Sequence, residues 1–306
     1  MPDDQPLMSA APRLLSPEIL ASLANLELVA RTAVHGFLTG LHRSPSFGFS
    51  QEFREYRAYA EGDDPRFVDW NVYARTDRTY IRRFEGETNT RLMLLLDASA
   101  SMGYVSSRAA VTKMTYAKYL AAALAYLGAR QHDPVGLIAF DEEVRMTRPA
   151  TSRTGSLQAL IHAIDTVETG GGTQLVKSFE GFREHLVRRS LIVLISDLYC
   201  DASSLQQALH PLTSRGHDVV IFHVLDPHEL DPRWEESVVL EDVESRHSAN
   251  IAPEFLQERY GAKLTAHLNA LRSAAAAIRA HFVSLQTDQP LNEALRRYLL
   301  FREGRH

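Results

Sequence analysis

Asp97, Ser99 and Ser101 stand at alternate positions directly after a run of five apolar residues, Leu92 to Leu96 (LMLLL). A second apolar run, Leu191 to Ile195 (LIVLI), ends in Ser196-Asp197. Between the two lies a glycine loop, Gly170-Gly171-Gly172, closed by Thr173. Brought together, these segments supply two carboxylates and three or four hydroxyls, all hard oxygen donors. Magnesium takes six such oxygens in near-octahedral geometry and keeps several waters. Neutral Ser and Thr ligands, with carboxylates behind them, leave an ion electron-poor enough to attract an acidic side chain from another protein. That chemistry is a metal bridge to a partner rather than a closed structural site. Each piece alone is weak: D-x-S-x-S occurs by chance, a strand-terminal Asp also caps helices, and three glycines also make a plain loop. Their order on successive strand ends is the specific signal.

The elements that must position these residues follow from periodicity. Leu92 to Leu96, Val135 to Phe140, Leu191 to Ile195 and Val219 to Leu225 read as strands buried on both faces. Helices are expected over 113–130, 154–167, 176–186 and 203–215, the last ending at Gly216. Strands alternating with helices imply βαβ units and a mostly parallel sheet. In such sheets ligands bind outside the carboxyl ends of the strands, where Asp97 and Asp197 fall. Downstream, 238–240 reads as an edge strand, 253–279 as a long helix, 282–285 as a last strand and 291–301 as a terminal helix. Upstream, residues 1–15 are Pro-rich and polar and are expected to be mobile, and 18–39 has helical spacing closed near Gly40.

Residues 44–88 differ, with many aromatics and arginines, a turn signal at Gly62-Asp63-Asp64-Pro65 and an extended stretch over 79–84. The expected organisation is a smaller, partly extended N-terminal unit, 1–88, and an α/β domain, 89–306. The chain has 306 residues, 33 basic and 38 acidic, and a net charge of -5, so nothing in its charge calls for nucleic-acid binding. One cysteine, Cys200, excludes an internal disulfide and a thiolate zinc cluster. No apolar run approaches membrane-spanning length, and the acidic start MPDDQ is unlike a signal peptide, so a cytoplasmic protein without direct membrane insertion is expected.

Two resemblances sharpen this reading. Asp97-x-Ser99-x-Ser101, Thr173 and Asp197, on the strand–helix order from about residue 90 to 230, resemble the metal-ion-dependent adhesion site of von Willebrand factor A domains. The resemblance implies a Rossmann-like domain in which Ser99, Ser101 and Thr173 are ligands or near-ligands of Mg²⁺ (or Mn²⁺ or Ca²⁺), with Asp97 and Asp197 acting directly or through water. Upstream, RAYAEGDDPRFVDW over 57–70, then Ala74-Arg75 and Glu85, is similar to the signature of the bacterial family called domain of unknown function 58. That family joins such a segment to a von Willebrand A-like domain. It implies an adaptor or co-chaperone, whose protein partner is a MoxR-type AAA+ ATPase or its client. Within the signature, Asp63, Asp64, Arg66, Asp69 and Arg75 are a possible functional surface. The plainer expectation is that Gly62 and Pro65 set a turn, Trp70 buries a large apolar area, and arginines pair with carboxylates.

Competing chemistries find less support. GGTQLVKS over 171–178 lacks the glycine before lysine that a phosphate loop needs. No G-x-S-x-G elbow is present. A magnesium-dependent phosphoryl-transfer or hydrolytic enzyme would use Asp97 as nucleophile, but such enzymes usually carry a second carboxylate two residues on, where this chain has Ser99. The histidines form no helix-face metal pair, and no base is assigned to Cys200.

Overall fold

The computed structural model describes residues 15–42, 53–60, 68, 70–76, 78–84, 91–172, 174–182, 186, 188–232, 238–241, 248–251 and 260–303. In chain order the elements are α1 (Pro17–Ala21), α2 (Leu26–His42), β1 (Phe53–Ala58), α3 (Trp70–Thr76), β2 (Tyr80–Phe84), β3 (Arg91–Asp97), α4 (Lys113–Arg130), β4 (Val135–Phe140), β5 (Val144–Thr151), α5 (Ser156–Asp165) and α6 (Leu175–Phe182). They continue with β6 (Ser190–Ser196), α7 (Ala202–Ser214), β7 (Asp218–Leu225), α8 (Pro227–Leu230), β8 (Val238–Glu241), β9 (Ser248–Ile251), α9 (Gly261–Ala277), β10 (His281–Gln286) and α10 (Asn292–Glu303).

Six strands form one sheet in the order β10-β7-β6-β3-β4-β5. All neighbours are parallel except β5, which runs antiparallel to β4. The two central strands, β3 and β6, are where the order reverses, the switch point at which doubly wound sheets bind ligands. The expected α/β class with a mostly parallel, helix-flanked sheet is borne out. β5 was not anticipated. Its half-exposed, alternating burial and its Pro149 lack the apolar run that reveals a central strand, and Pro is tolerated there because β5 is an edge.

Side chains alternate across the sheet. Met93 and Leu95 of β3 join Phe140, Ile192, Leu194 and Ile221 in a core completed by residues of α6, α7 and α9. On α6, Phe179 and Phe182 close on Phe140, with ring centroids 5.7 and 5.3 Å away. α4 is apolar nearly all round and buried along its length. A Cβ on its Gly128 would lie 2.9 Å from a Val135 methyl and 3.3 Å from Leu92, so glycine is what lets helix and sheet approach this closely.

The chain divides into two compact units, one comprising the chain up to Gly40 with Thr90–His306, the other Leu41–Asn89. The sequence grouped the N-terminal helix with the signature segment. In the structure it belongs with the sheet, where the Leu291 amide donates to the Leu15 carbonyl at 3.2 Å. The single helix expected over 18–39 is two. Asn25 Oδ1 accepts the Leu28 amide at 2.8 Å, a side-chain cap that starts α2 afresh, and α2 runs past Gly40 to His42.

In the smaller unit β1 pairs antiparallel with β2, and Val68 bridges to Ile81. Val68 and Ile81 take the buried positions. Trp70 does not bury its ring as expected: it is 62% exposed at the start of α3 and meets Tyr73 edge-on at 6.0 Å. Asp63, Asp64, Arg66, Asp69 and Glu85 lie outside the described residues, as do 1–14, and Arg75 is exposed. The strand expected at 238–240 exists, but it pairs with β9 in a separate two-stranded sheet rather than at the edge of the main one.

The C-terminal helix is anchored by an ion pair. Arg302 Nη1 donates to Asp133 Oδ2 at 2.6 Å, and its Nη1 also reaches Gln131, with both charges largely buried. Breaking a buried pair leaves an uncompensated charge and typically costs about 3–5 kcal/mol. Arg302→Ala is therefore expected to destabilise the chain by roughly 3 kcal/mol, read as a lower urea midpoint, while Arg297→Ala, which removes an exposed pair to Glu293, changes it by under about 1 kcal/mol.

Candidate metal-binding face

β3 carries Asp97 to the carboxyl edge of the sheet, where its side chain is wholly buried. Asp97 Oδ1 accepts the Ser99 amide at 2.9 Å, and Oδ2 accepts the Ser196 hydroxyl at 2.5 Å. One carboxylate thus ties the loop after β3 to the end of β6. Ser99 then enters a short 3-10 turn, Ala100–Gly103, which sets Ser99 Oγ 3.1 Å from Ser101 Oγ.

The glycine loop is fastened to the same turn. The Gly170 amide donates to the Ala98 carbonyl at 2.8 Å, and the Ala100 amide to the Gly171 carbonyl at 3.0 Å. Gly171 has φ +73, and a Cβ there would stand 2.6 Å from Asp141 Oδ2. Glycine is required on both counts. Thr173, the fifth residue expected at the site, lies outside the described residues.

Asp197 follows β6 and is also buried. Its Oδ2 accepts Lys113 Nζ at 2.8 Å. Its Oδ1 is buried and has no hydrogen-bond partner among the described residues. Lys113 Nζ also donates to Glu229 Oε1 at 2.6 Å, and the Lys113 side chain is 0% exposed. Tyr104 and Tyr199 present ring faces to the ammonium, 5.7 and 4.8 Å from their centroids. His223 Nε2 meets the Asp197 carbonyl at 2.8 Å. A carbonyl only accepts, so Nε2 carries the proton, and burial holds the imidazole neutral with a pKa lowered to about 4.

The electrostatics are those of an under-compensated acidic site. Burial, then the neighbouring charge of Asp197, pushes the Asp97 carboxyl up to about 7, against the opposing hydrogen bonds from Ser196 and Ser99. Burial pulls the Lys113 ammonium down, but Asp197 and Glu229 together outweigh it and leave its pKa raised. Two carboxylates, Asp197 and Glu229, thus share one ammonium, while Asp97 feels the charge of Asp197.

The donors fit a hard divalent ion. Asp97, Ser99, Ser101 and Asp197 are gathered at one strand edge, and Asp197 Oδ1 is a buried carboxylate oxygen lacking a proton donor among the described residues. Among the described residues no group of three or more His, Cys, Asp or Glu is arranged to hold a metal. An ion here would therefore depend on the serine hydroxyls, a donor set suited to a hard cation rather than zinc. Cys200 sits in surroundings that favour the thiol over the thiolate. Burial, then Asp201, Asp97 and Asp197, pushes its thiol up to about 12.

Lys113 and Glu229 were not singled out from sequence. Glu229 had a signal: Asp226-Pro227-His228-Glu229 after β7 is a capping box, and Glu229 Oε2 accepts the Asp226 amide at 2.7 Å. Lys113 is a cation at a helix N-terminus, against the dipole, on a helix otherwise buried. Such a residue calls for nearby carboxylates, though not for particular ones.

The chain matches the model of a family described as protein of unknown function DUF58 over residues 55–270. It is 27% identical to the uncharacterized protein Rv1480 of Mycobacterium tuberculosis over 281 residues, 89% of this chain and 86% of that one. Among solved structures it is similar to the conserved hypothetical protein BatB of Bacteroides thetaiotaomicron, at 14% identity and TM-score 0.49, over 71% of this chain and 100% of that one. It is also similar to a von Willebrand factor type A protein of Catenulispora acidiphila, at 14% identity and TM-score 0.38, over 68% of this chain and 40% of that one.

Gly171→Ala tests the positioning of this face. The left-handed conformation alone costs a side chain about 1–2 kcal/mol, so the variant is expected to unfold at lower urea. Hydrogen exchange should quicken at the Ala100 amide, which Gly171 holds; unchanged protection there would mean the loop is not fastened as described.

Proposed function

Because this chain belongs to the family of proteins of unknown function DUF58, its role is read from its site, and we propose that it is a non-enzymatic module that grips a protein partner through a divalent ion, Mg²⁺ or Mn²⁺ foremost. The observation that carries the proposal is Asp197 Oδ1, a buried carboxylate oxygen without a hydrogen-bond partner among the described residues, at the same strand edge as Asp97, Ser99 and Ser101. When bound, such an ion supplies a Lewis-acidic point that accepts a carboxylate oxygen from outside the chain.

The chain's residues divide the work. Ser99 and Ser101 offer neutral hydroxyls, with Thr173 as the third, which leaves positive charge available to the partner. Asp97, fixed by the Ser99 amide and Ser196 hydroxyl, and Asp197 hold water or ligate directly. The partner contributes an Asp or Glu. Asp97, Ser99 and Asp197 are almost wholly covered, so engagement requires the glycine loop and the Ala100–Gly103 turn to shift. A partner that binds only the shifted state would stabilise it. The resemblance to the family points to a MoxR-type AAA+ ATPase, or that machine's client, as the partner.

The enzyme reading gains nothing from this geometry. An aspartyl nucleophile must reach its substrate, so Asp97, 0% exposed, would need the same loop shift and would also have to release the Ser99 amide and Ser196 hydroxyl, whereas holding a metal's water leaves those bonds in place.

Thermal unfolding tests the proposal. At ten times the dissociation constant, Mg²⁺ or Mn²⁺ is expected to stabilise the chain by roughly 1.4 kcal/mol, reversibly with EDTA. Asp97→Ala and Ser99→Ala should remove the effect, and both EDTA and Ser99→Ala should abolish capture of the co-expressed ATPase. Metal-dependent turnover of phosphate esters by the isolated chain, lost in Asp97→Ala, would instead favour the enzyme.

A further inference from the structure

We infer that Lys113 sets the ion preference of this site, favouring a small ion that keeps its waters over a larger one that gathers protein oxygens. The inference rests on the metal reading above and assigns a specificity-determining role to a residue that is not itself a ligand. Its basis is where the ammonium sits. Lys113 Nζ holds Asp197 Oδ2 at 2.8 Å, leaving Oδ1 as the oxygen without a partner among the described residues. Asp197 can therefore clasp an ion with both oxygens only by sharing Oδ2 between the ion and the lysine, which weakens that second contact.

Glu229 is committed within the chain in the same way. Its Oε1 accepts from Lys113 and from the Tyr199 hydroxyl at 2.7 Å, and its Oε2 accepts the Asp226 amide. The ammonium is held from both sides, bonded to two carboxylates and faced by two tyrosine rings. It is also a permanent positive charge one carboxylate away from any bound cation. Calcium takes six to eight oxygens and commonly uses carboxylates bidentately, whereas magnesium accepts fewer protein oxygens and retains water. Weakening the Oδ2 contact thus handicaps the calcium-like ion more.

The same residue explains why a lysine is tolerated in so buried a place. Without it, the buried Asp197 and the part-buried Glu229 would lose the cation they share. With it, the site remains folded and negative enough to hold one more cation.

The test is a thermal-shift titration of the full chain with MgCl₂ and with CaCl₂, in wild type and in Lys113→Met, with circular dichroism confirming the fold. Since Lys113→Met strands buried charge, the double variant Lys113→Met with Glu229→Gln is titrated alongside. The expected result is that wild type prefers Mg²⁺. In whichever variant folds, Ca²⁺ affinity should rise about tenfold more than Mg²⁺ affinity. A folded variant that binds both ions with the wild-type ratio overturns the role of Lys113 and leaves the metal reading standing. A wild type that prefers Ca²⁺ overturns it likewise. If neither ion stabilises wild type or either variant, the metal reading fails and this inference fails with it.

Discussion

Burying carboxylates at the end of a parallel sheet creates a debt of charge that the surrounding groups must meet. Asp97, Asp197 and Glu229 are held within one cluster, and the cluster contains a single lysine. Desolvation disfavours buried charge, and the Lys113 ammonium, bonded to Asp197 and Glu229, offsets part of that cost. Burial and the charge of Asp197 push the Asp97 carboxyl up to about 7, and Asp197 keeps one oxygen without a partner among the described residues. That imbalance is what the proposed metal-dependent reading rests on.

The fold exists to make that edge possible. β3 and β6 lie side by side at the centre of the sheet, so Asp97 and Ser196-Asp197 emerge at the same end. The Asp97–Ser196 hydrogen bond then joins the two strand ends. The Phe140, Phe179 and Phe182 rings seat α6 directly after the glycine loop, and two backbone hydrogen bonds fasten that loop to the Ala98–Ala100 turn. α4 delivers Lys113 from the other side, and the capping box at Asp226 delivers Glu229.

Much of this was legible in the sequence because strands buried on both faces leave uninterrupted apolar runs. LMLLL and LIVLI announce both their strands and the residues that follow them, which is how Asp97, Ser99, Ser101 and Asp197 could be named. What escaped reading is what depends on tertiary meeting. Lys113 and Glu229 are 116 positions apart, and neither has a local pattern that names the other. β5 was missed because an exposed edge strand with a proline carries no apolar run. The break at Ser22–Asn25 was missed because apolar spacing continues through it while a side-chain cap from Asn25 restarts the helix. Trp70 was misjudged by its type: a tryptophan is usually buried, but the small unit gives its interior positions to Val68 and Ile81.

The most direct measurement is an anomalous difference map from crystals of the chain grown with Mn²⁺. A divalent site built from these residues predicts a single strong peak coordinated by Ser99 and Ser101, close to Asp97 and Asp197 Oδ1, with Lys113 still paired to Oδ2. No peak at that strand edge, at manganese concentrations that saturate ordinary magnesium sites, would contradict it.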